Sequence, residues 1–309
     1  VMSDVPNGKA MSKCFCIDKD NKYTLNQRIC ALRTKQIPLY YMMQINRNDY
    51  FMKFDDGVKQ TNLRKDDVLA CPVYSTTIKE QTKIADFLSL IDQRIEKQRR
   101  LVESLKKYKR GVIFKLFSKN NPNNQSISLR ELLQEKNDRN SLGLRVCSVA
   151  VNKGVVDQIE HLGRCFAASD TSKYRRVSYG DVVYTKSPTG DFPYGIVKQS
   201  KIHRDVCVSP LYGVYKTLNY EVGNLIHAYF ELHQLANNYI RPLAQKGAKN
   251  TINITTSHFL DDIIYFPSND KYRKNISNFL DKLTRCISIQ EEKLQQNEKL
   301  KKGLLQQMF

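Results

Sequence analysis

The chain has 309 residues, 41% of them hydrophobic, which is enough for two ordinary domains with a core in each. It carries 50 Lys and Arg against 31 Asp and Glu, a formal net charge of +19, which favours a polyanionic partner, nucleic acid first and an anionic membrane surface second. No stretch approaches the ~18 apolar residues of a membrane helix and no signal segment opens the chain, so a cytoplasmic protein is predicted.

The eight cysteines and five histidines show no ligand pattern. Cys14 and Cys16 form a lone Cys-x-Cys, and no Cys-x-x-Cys pair occurs. Several other cysteines lie in apolar, strand-like contexts, where a reduced thiol behaves as a small hydrophobic side chain. The sequence therefore predicts neither a metal site nor a disulfide framework.

The first predicted elements are a globular part at residues 1–78 and a long helix at residues 79–117. From Ile84 to Leu116 the chain follows alternating steps of four and three residues, a heptad pattern of about five repeats. This apolar stripe is called the seam below, and Gln98 occupies one of its positions. A polar seam residue weakens a coiled coil but fixes its register. The alternative is a glutamine that faces solvent at a fraying seam.

A polar linker is predicted at residues 118–128, followed by a second, mixed α/β globular part at residues 129–270. Short β-branched runs such as "GDVVYT" and "YGIVK" predict strands, and "VGNLIHAYFELHQLANNYIRPLA" predicts one helix. The last element, residues 271–309, repeats the heptad pattern and places Gln290 at the seam.

The two long helices are copies of one another. An offset of 192 (276 − 84) aligns them to their ends, "KEQTKIADFLSLIDQRIEKQRRLVESLKKYKRGVIFKLF" over "KYRKNISNFLDKLTRCISIQEEKLQQNEKLKKGLLQQMF". Each copy has 39 residues. At 1.5 Å per residue, each helix would be roughly 58 Å long. Two such helices in one chain are predicted to pack on each other.

The globular parts also correspond. Each contains a Gly-x-Lys-x-Thr stretch, beginning at Gly57 and Gly247, and then an Asp-Asp-aliphatic run that leads to a proline. The chain is therefore predicted to be a pseudo-twofold repeat of one module, a globular part followed by a long helix.

The first copy is predicted to be incomplete. Aligning Ile29 with Val206, an offset of 177 (206 − 29), places Val1 opposite about position 178, so the counterpart of residues 129–177 is missing. A natural truncation and an absent N-terminal segment both fit this pattern.

The segment "EQTKIADFLSLIDQRI", followed by a Lys-rich heptad helix that closes on "KRGVIFKLF", resembles the conserved helices of specificity (S) subunits of Type I restriction–modification systems. The resemblance covers essentially the whole chain. The chain departs from it where the second copy has "KYRKNI" in place of "EQTKIA", and where the first globular part lacks its N-terminal half.

This resemblance implies two target-recognition domains that each read half of a split DNA motif, separated by helices that pair as an antiparallel coiled coil. It also implies docking to two methyltransferase (M) subunits and to restriction (R) subunits, with self-association of S chains as a further possibility. The S subunit would perform no chemistry and bind no cofactor. S-adenosylmethionine, ATP and Mg²⁺ would be bound by the partner subunits.

Candidate DNA-contacting residues are basic, amide and small hydroxyl side chains in polar loops, because such groups contact phosphates and base edges. In the second copy they are Lys186, Ser187, Thr189 and Tyr194 of "TKSPTGDFPY", and Arg241, Gln245, Lys246, Lys249, Asn250 and Thr251 of "RPLAQKGAKNT". In the first copy they are Asn7, Lys9, Lys59, Gln60 and Asn62. The resemblance additionally favours Lys59 and Lys249. A solvated turn without function is the alternative for each loop.

Catalysis by this chain is not predicted. The sequence has no Asn/Asp-Pro-Pro-aromatic loop, no GxGxxG and no P-loop, and the charged string at Glu291–Lys293 lies on the solvated face of a heptad helix. The alternative to DNA recognition is a coiled-coil protein that sequesters restriction–modification subunits or exchanges with them. Salt-sensitive DNA binding would discriminate the two functions.

Overall fold

The computed structural model describes residues 1–4, 10–46, 48–55, 60–164, 170–246 and 252–309. Within these residues the α-helices are α1 (Pro38–Ile45), α2 (Lys65–Leu69), α3 (Ile78–Leu116), α4 (Gln158–Leu162), α5 (Tyr220–Glu231), α6 (His233–Ile240), α7 (Thr256–Asp261) and α8 (Asp270–Met308). The strands are β1 (Ser3–Asp4), β2 (Thr61–Asn62), β3 (Asn124–Ser128), β4 (Leu133–Glu135), β5 (Cys147–Ala150), β6 (Gly154–Asp157), β7 (Arg175–Val177), β8 (Val182–Tyr184), β9 (Val197–Gln199), β10 (Val206–Val208), β11 (Gly213–Thr217), β12 (Gln245–Lys246), β13 (Ile252–Asn253) and β14 (Ile263–Pro267). Short 3₁₀ turns occupy Asp49–Phe54, Leu129–Glu131 and Arg241–Leu243. This mixture of helices and strands confirms the predicted α/β class.

The chain forms two compact units. Unit 1 comprises Val1–Glu103 and Ser288–Phe309, and unit 2 comprises Ser104–Ile287. Each long helix therefore contributes one segment to each unit.

Both long helices begin after a capping residue. At the start of α3, Thr77 Oγ1 accepts a hydrogen bond from the Glu80 N–H at 3.3 Å. At the start of α8, Asn269 Oδ1 accepts one from the Tyr272 N–H at 3.0 Å. These bonds satisfy N–H groups that have no partner within the helix, which fixes where each helix starts.

Residues 118–128, predicted as a polar linker, cap α3 and then form a strand. The side-chain amides of Asn121 and Asn124 donate to the Leu116 carbonyl at 2.9 and 2.7 Å and so cap the end of α3. The chain then continues as β3, which pairs antiparallel with β14 along all five residues of each strand. The second half of the segment is a strand because Ile127 packs into the core of unit 2.

Burial follows the predicted seam. Every seam position from Ile84 to Leu116 on α3, and from Ile276 to Met308 on α8, is buried or half-buried. The buried seam residues are Leu88, Ile95, Val102, Leu116, Leu280, Leu283 and Ile287.

In unit 1 the α3 and α8 segments run antiparallel. Lys301 Nζ of α8 donates to Asp92 Oδ1 of α3 at 2.5 Å. Gln98, which follows Asp92 in α3, contacts Gln290, which precedes Lys301 in α8. Gln98 Nε2 donates to Gln290 Oε1 at 2.9 Å and to the Gln290 backbone carbonyl at 3.0 Å. The two seam glutamines therefore bind each other instead of facing solvent.

Replacing Gln98 and Gln290 together with leucine is expected to stabilise unit 1 by about 1–2 kcal/mol, because two half-buried amides give way to apolar contact. Each single replacement leaves one amide without its partner, so the double-mutant cycle should show a coupling free energy of about 0.5–1.5 kcal/mol. Thermal unfolding of the full chain measures both quantities. Asn297→Leu, at another polar seam position, is the control and should be additive with Gln98→Leu. A coupling energy of zero would contradict the pairing.

Both long helices end on a phenylalanine that packs edge-on against a tyrosine. In unit 2 the Phe117 ring lies 5.1 Å from the Tyr229 ring of α5, at an interplanar angle of 82°. In unit 1 the aligned Phe309 ring lies 5.4 Å from the Tyr40 ring of α1, at 72°. The helix of each copy thus packs against the globular part of the other copy, which explains why the same helix ending occurs twice in the sequence.

The main sheet of unit 2 is antiparallel, has the strand order β4-β11-β8-β9, and is covered on both faces. Val182 and Tyr184 of β8 lie in a core cluster with α5, α6 and α7. Val183, between them, lies in a second cluster with β5, β6, β7 and β10. A strand covered on both faces has an unbroken apolar sequence, as "GDVVYT" does.

The single helix predicted across residues 222–244 is wrong, because the chain breaks there. Leu232, between α5 and α6, is extended, with φ −85° and ψ 113°. The break lets Leu232 and Tyr239 join the same core cluster as α5.

Unit 1 has a much smaller globular core. It consists of Met11, Phe51, Leu63, Val68 and Cys71. Residues 10–37 are all described and contain neither helix nor strand. The better-formed candidate site is therefore that of unit 2.

Candidate nucleic-acid interface

The first predicted loop is a rigid hairpin, residues 185–196, between β8 and β9. At its base the Thr185 N–H donates to the Ile196 carbonyl at 3.0 Å, and the Ile196 N–H donates to Thr185 Oγ1 at 3.1 Å. The buried Tyr184 hydroxyl donates to the Tyr194 carbonyl at 2.7 Å. Tyr194 itself is half-buried and packs on the core cluster of unit 2, so its role is at least partly structural.

The tip of the 185–196 hairpin is a tight turn whose polar side chains face solvent. Thr189 and Phe192 exchange two backbone hydrogen bonds of 3.0 Å, and the Phe192 ring is buried in the core. Gly190 supplies the left-handed conformation that the turn requires, with φ +53°. Ser187, Thr189 and Asp191 are exposed, so hydroxyl and carboxylate oxygens are available at the tip.

Lys186 joins this hairpin to the second predicted loop. Its Nζ donates to the backbone carbonyl of Ile254 at 3.0 Å, and Ile254 is buried in the core. Burial of the Lys186 side chain lowers its pKa, and the neighbouring Arg175 guanidinium lowers it further. Two loops that lie some sixty residues apart in sequence are therefore in direct contact.

The described part of the second predicted loop contains two short paired strands, β12 and β13. Gln245 pairs with Asn253, and Lys246 pairs with Ile252, in antiparallel register. Arg241 precedes the hairpin in an exposed 3₁₀ turn. The other predicted residues of this loop, Lys249, Asn250 and Thr251, lie outside the described residues.

A polar network that the sequence did not reveal lies beside the two loops. Arg175 of β7 donates to Asn137 Oδ1 at 2.8 Å and lies 3.5 Å from Glu135 Oε1 of β4. Thr256 Oγ1, at the start of α7, donates to the same Glu135 oxygen at 2.9 Å. Because Thr256 follows Ile254 by two residues, this network secures the chain just after β13.

In unit 1 the structure describes only part of the candidate set. Asn62 lies in β2, which pairs with β1, and the Gln60 side chain donates to the Ser3 hydroxyl and to Asn62 Oδ1, the latter at 3.5 Å. Both predicted residues are exposed. Asn7, Lys9 and Lys59 lie outside the described residues.

Two other kinds of site find no support in the part of the chain that the structure describes. There, no group of three or more His, Cys, Asp or Glu side chains could hold a metal ion. No described helix combines the length and the apolar character that crossing a membrane requires.

The family model described as the Type I restriction modification DNA specificity domain matches residues 10–107. This segment contains the first Gly-x-Lys-x-Thr stretch and most of α3. The match is confined to this N-terminal part of the chain. No curated protein matches the chain in sequence.

The fold is shared with a solved S subunit structure. The chain matches a Type I restriction–modification S subunit from M. genitalium with a TM-score of 0.54 at 13% identity, over 88% of this chain and 72% of that one. An HsdS subunit from Thermoanaerobacter tengcongensis matches with a TM-score of 0.44 at 15% identity, over 88% and 70%. A third structure, described as the basis of complex assembly and conformational transition in the type I R-M system, matches with a TM-score of 0.48 at 14% identity. The match covers 88% of this chain and 70% of that one.

The comparisons thus give a sequence match over residues 10–107 and a fold shared with an S subunit over 88% of the chain.

Gly195→Ala is expected to destabilise unit 2 by about 2–3 kcal/mol. Gly195 has φ +93°, and an added Cβ would lie 2.8 Å from the Lys186 backbone nitrogen. Urea unfolding followed by circular dichroism measures the loss. Gly190→Ala is the matched control, because Gly190 also has a positive φ but has open space around it. It should cost only about 1 kcal/mol, and equal losses would contradict the role of the close contact.

Proposed function

We propose that this chain is the non-catalytic DNA-recognition (S) subunit of a Type I restriction–modification system, and that it reads one half of a split DNA motif through the 185–196 hairpin and the neighbouring segment 241–256 of unit 2. The observation that carries the proposal is the bond between Lys186 Nζ and the Ile254 carbonyl, 3.0 Å long, which joins the two loops that the sequence predicts separately. One composite surface then offers hydroxyl and carboxylate groups for base edges and Arg241 for a phosphate.

The net charge of the chain supports this surface as a DNA contact. The formal charge of +19 attracts a polyanion at long range and makes binding dependent on salt. Under the proposal, Lys249, Asn250 and Thr251 at the second loop add contacts to the same half-site. The corresponding residues of the first copy, Asn7, Lys9, Lys59, Gln60 and Asn62, contact the other half-site.

The long helices are proposed to dock two methyltransferase subunits and the restriction subunits of the complex. Away from the seam, both helices expose large apolar side chains, which mark interaction surfaces when they lie in a row. On α3 these are Phe87, Leu90, Leu101 and Tyr108, and on α8 they are Phe279, Ile289 and Leu300. Phe87 and Phe279 are aligned copies, so each helix offers an equivalent surface.

The test is to co-express the chain with the methyltransferase subunit encoded at the same locus and to map adenine methylation across the host genome. A split motif with a spacer of constant length is expected. A motif with one defined half, or a symmetric repeat of that half, would show that the first copy does not read DNA. A stable complex without methylation would favour the alternative function, sequestration of partner subunits or exchange with them.

A further inference from the structure

Lys186 lies where a phosphate-contacting lysine is predicted, but its geometry is that of an internal link. It has φ +54°, the left-handed region that residues other than glycine seldom adopt. Its side chain is half-buried, and its Nζ reaches the Ile254 carbonyl at 3.0 Å. A lysine that serves only as a mobile surface charge needs neither feature.

The backbone of Lys186 is closely packed against the opposite side of the hairpin. The left-handed Gly195, across the hairpin, approaches so closely that a Cβ there would lie 2.8 Å from the Lys186 nitrogen and 2.9 Å from the Ser187 nitrogen. The tip residues that follow are therefore fixed relative to Lys186, and through Lys186 to Ile254.

A second hydrogen bond, from Thr256 to Glu135, restrains the same segment two residues after Ile254. The Thr256 hydroxyl donates to Glu135 at 2.9 Å, and Glu135 is 3.5 Å from Arg175. The segment that follows β13 is thus tied to the hairpin by Lys186 and to β4 and β7 by Thr256. The two links act on residues 254 and 256, immediately after the second loop.

We infer that Lys186 is a positioning residue for base selectivity, which holds the 185–196 hairpin and the segment that follows β13 in one fixed arrangement and acts through the Ile254 carbonyl. This inference rests on the proposed function, because it concerns how the same DNA-reading surface achieves its selectivity. Thr256 has the same role through Glu135.

Two measurements separate a positioning lysine from a phosphate contact. A phosphate contact releases a counterion, so its removal weakens all duplexes alike and lowers the slope of log affinity against log salt concentration by about one. A positioning residue leaves that slope unchanged, and its loss lowers the preference for the correct duplex over a scrambled one.

The experiment uses the full chain with its methyltransferase subunit. The wild-type complex first selects a preferred duplex from a randomised pool. Affinities for that duplex and for a scrambled duplex are then measured at several KCl concentrations. Lys186→Met is expected to keep the salt slope and to lower the selectivity ratio by roughly tenfold, as for one misplaced base contact. Thr256→Val, which changes no charge and little shape, is expected to do the same.

Arg241→Gln is the matched control for a charge contact, since Arg241 is an exposed arginine in the 3₁₀ turn just before the second loop. It should lower both affinities and the salt slope while keeping the ratio. If Lys186→Met behaves like Arg241→Gln, the inference is overturned and the proposed function stands. If the wild-type complex selects no duplex at all, the proposed function fails and the inference fails with it.

Discussion

Replacing Phe117 with alanine is expected to lower the free energy of unfolding of unit 2 by about 3–5 kcal/mol, the usual cost of removing a buried aromatic ring. Phe117 is only 4% exposed. Its ring lies 5.1 Å from Tyr229 and 6.1 Å from Phe266. The change therefore leaves a cavity where α3 meets both α5 and β14. Urea unfolding followed by circular dichroism at 222 nm measures the loss.

Phe309→Ala, at the aligned position of the second copy, is the control for this prediction. Phe309 is half-buried and has one aromatic neighbour, Tyr40. Its removal should cost about 1–2 kcal/mol, because less surface is exposed and less volume is left empty. Equal losses at the two positions would mean that the two helix ends are equally well packed, contrary to their burial.

Lys198→Met is expected to stabilise unit 2 by about 3 kcal/mol at pH 7, because Lys198 is a buried ammonium group with little compensation. Its side chain is 3% exposed on β9. Burial lowers the Lys198 pKa to about 8, against a partial opposing effect of Glu231. Glu231 is already occupied, since both its oxygens accept hydrogen bonds from Lys109 Nζ, at 2.8 and 2.7 Å.

The advantage of the methionine variant should disappear as the pH rises. Below pH 8 Lys198 is protonated in both states, so the folded state bears the whole cost of the buried charge. Between pH 8 and its ordinary value of 10.5, folded Lys198 loses its proton while unfolded Lys198 keeps it, and the wild-type chain gains stability relative to the variant. His227, Lys109 and Glu231 lie near Lys198 and are present in both proteins.

Chemical denaturation of both proteins at pH 7 and pH 10 tests this prediction. Lys216→Met serves as the control, because Lys216 is an exposed lysine on β11 of the same sheet and its loss should change stability little at either pH. A wild-type chain more stable than the Lys198→Met variant at pH 7 would show that the buried ammonium is fully compensated.

The long helices were predictable because the pattern that a continuous apolar seam requires occurs twice in the sequence. The strand β8 was predictable for a similar reason, since burial on both faces demands an unbroken apolar run. The strand β3 was not, because a single buried side chain, Ile127, lies among polar residues that suggest a linker. The break at Leu232 was also hidden, because the apolar periodicity continues on both sides of it.

The candidate loops were predictable from their residue types, but their contact was not. The link from Lys186 ends on a backbone carbonyl, and any residue at position 254 could supply that acceptor. A lysine at position 186 does not by itself indicate a left-handed backbone, although the glycine at position 195, on the opposite side of the hairpin, is a partial indication of it. The Arg175–Glu135–Thr256 network joins three separate elements, and no local pattern connects them.

The pairing of β3 with β14 has a mechanical consequence. β3 follows α3 and β14 precedes α8, and their ladder starts at the pair Asn124 and Pro267, next to both helix ends. A tension that pulls the end of α3 away from the start of α8 would load the antiparallel ladder from that end, so its bonds would rupture one pair at a time, as in unzipping. When two strands are pulled from opposite ends, all the hydrogen bonds between them share the load and the pair resists a higher force. The pair β3 and β14 is not loaded in that way. Under tension, this junction of unit 2 would therefore open at low force, and the ring of Phe117 would oppose the opening more than the strands do.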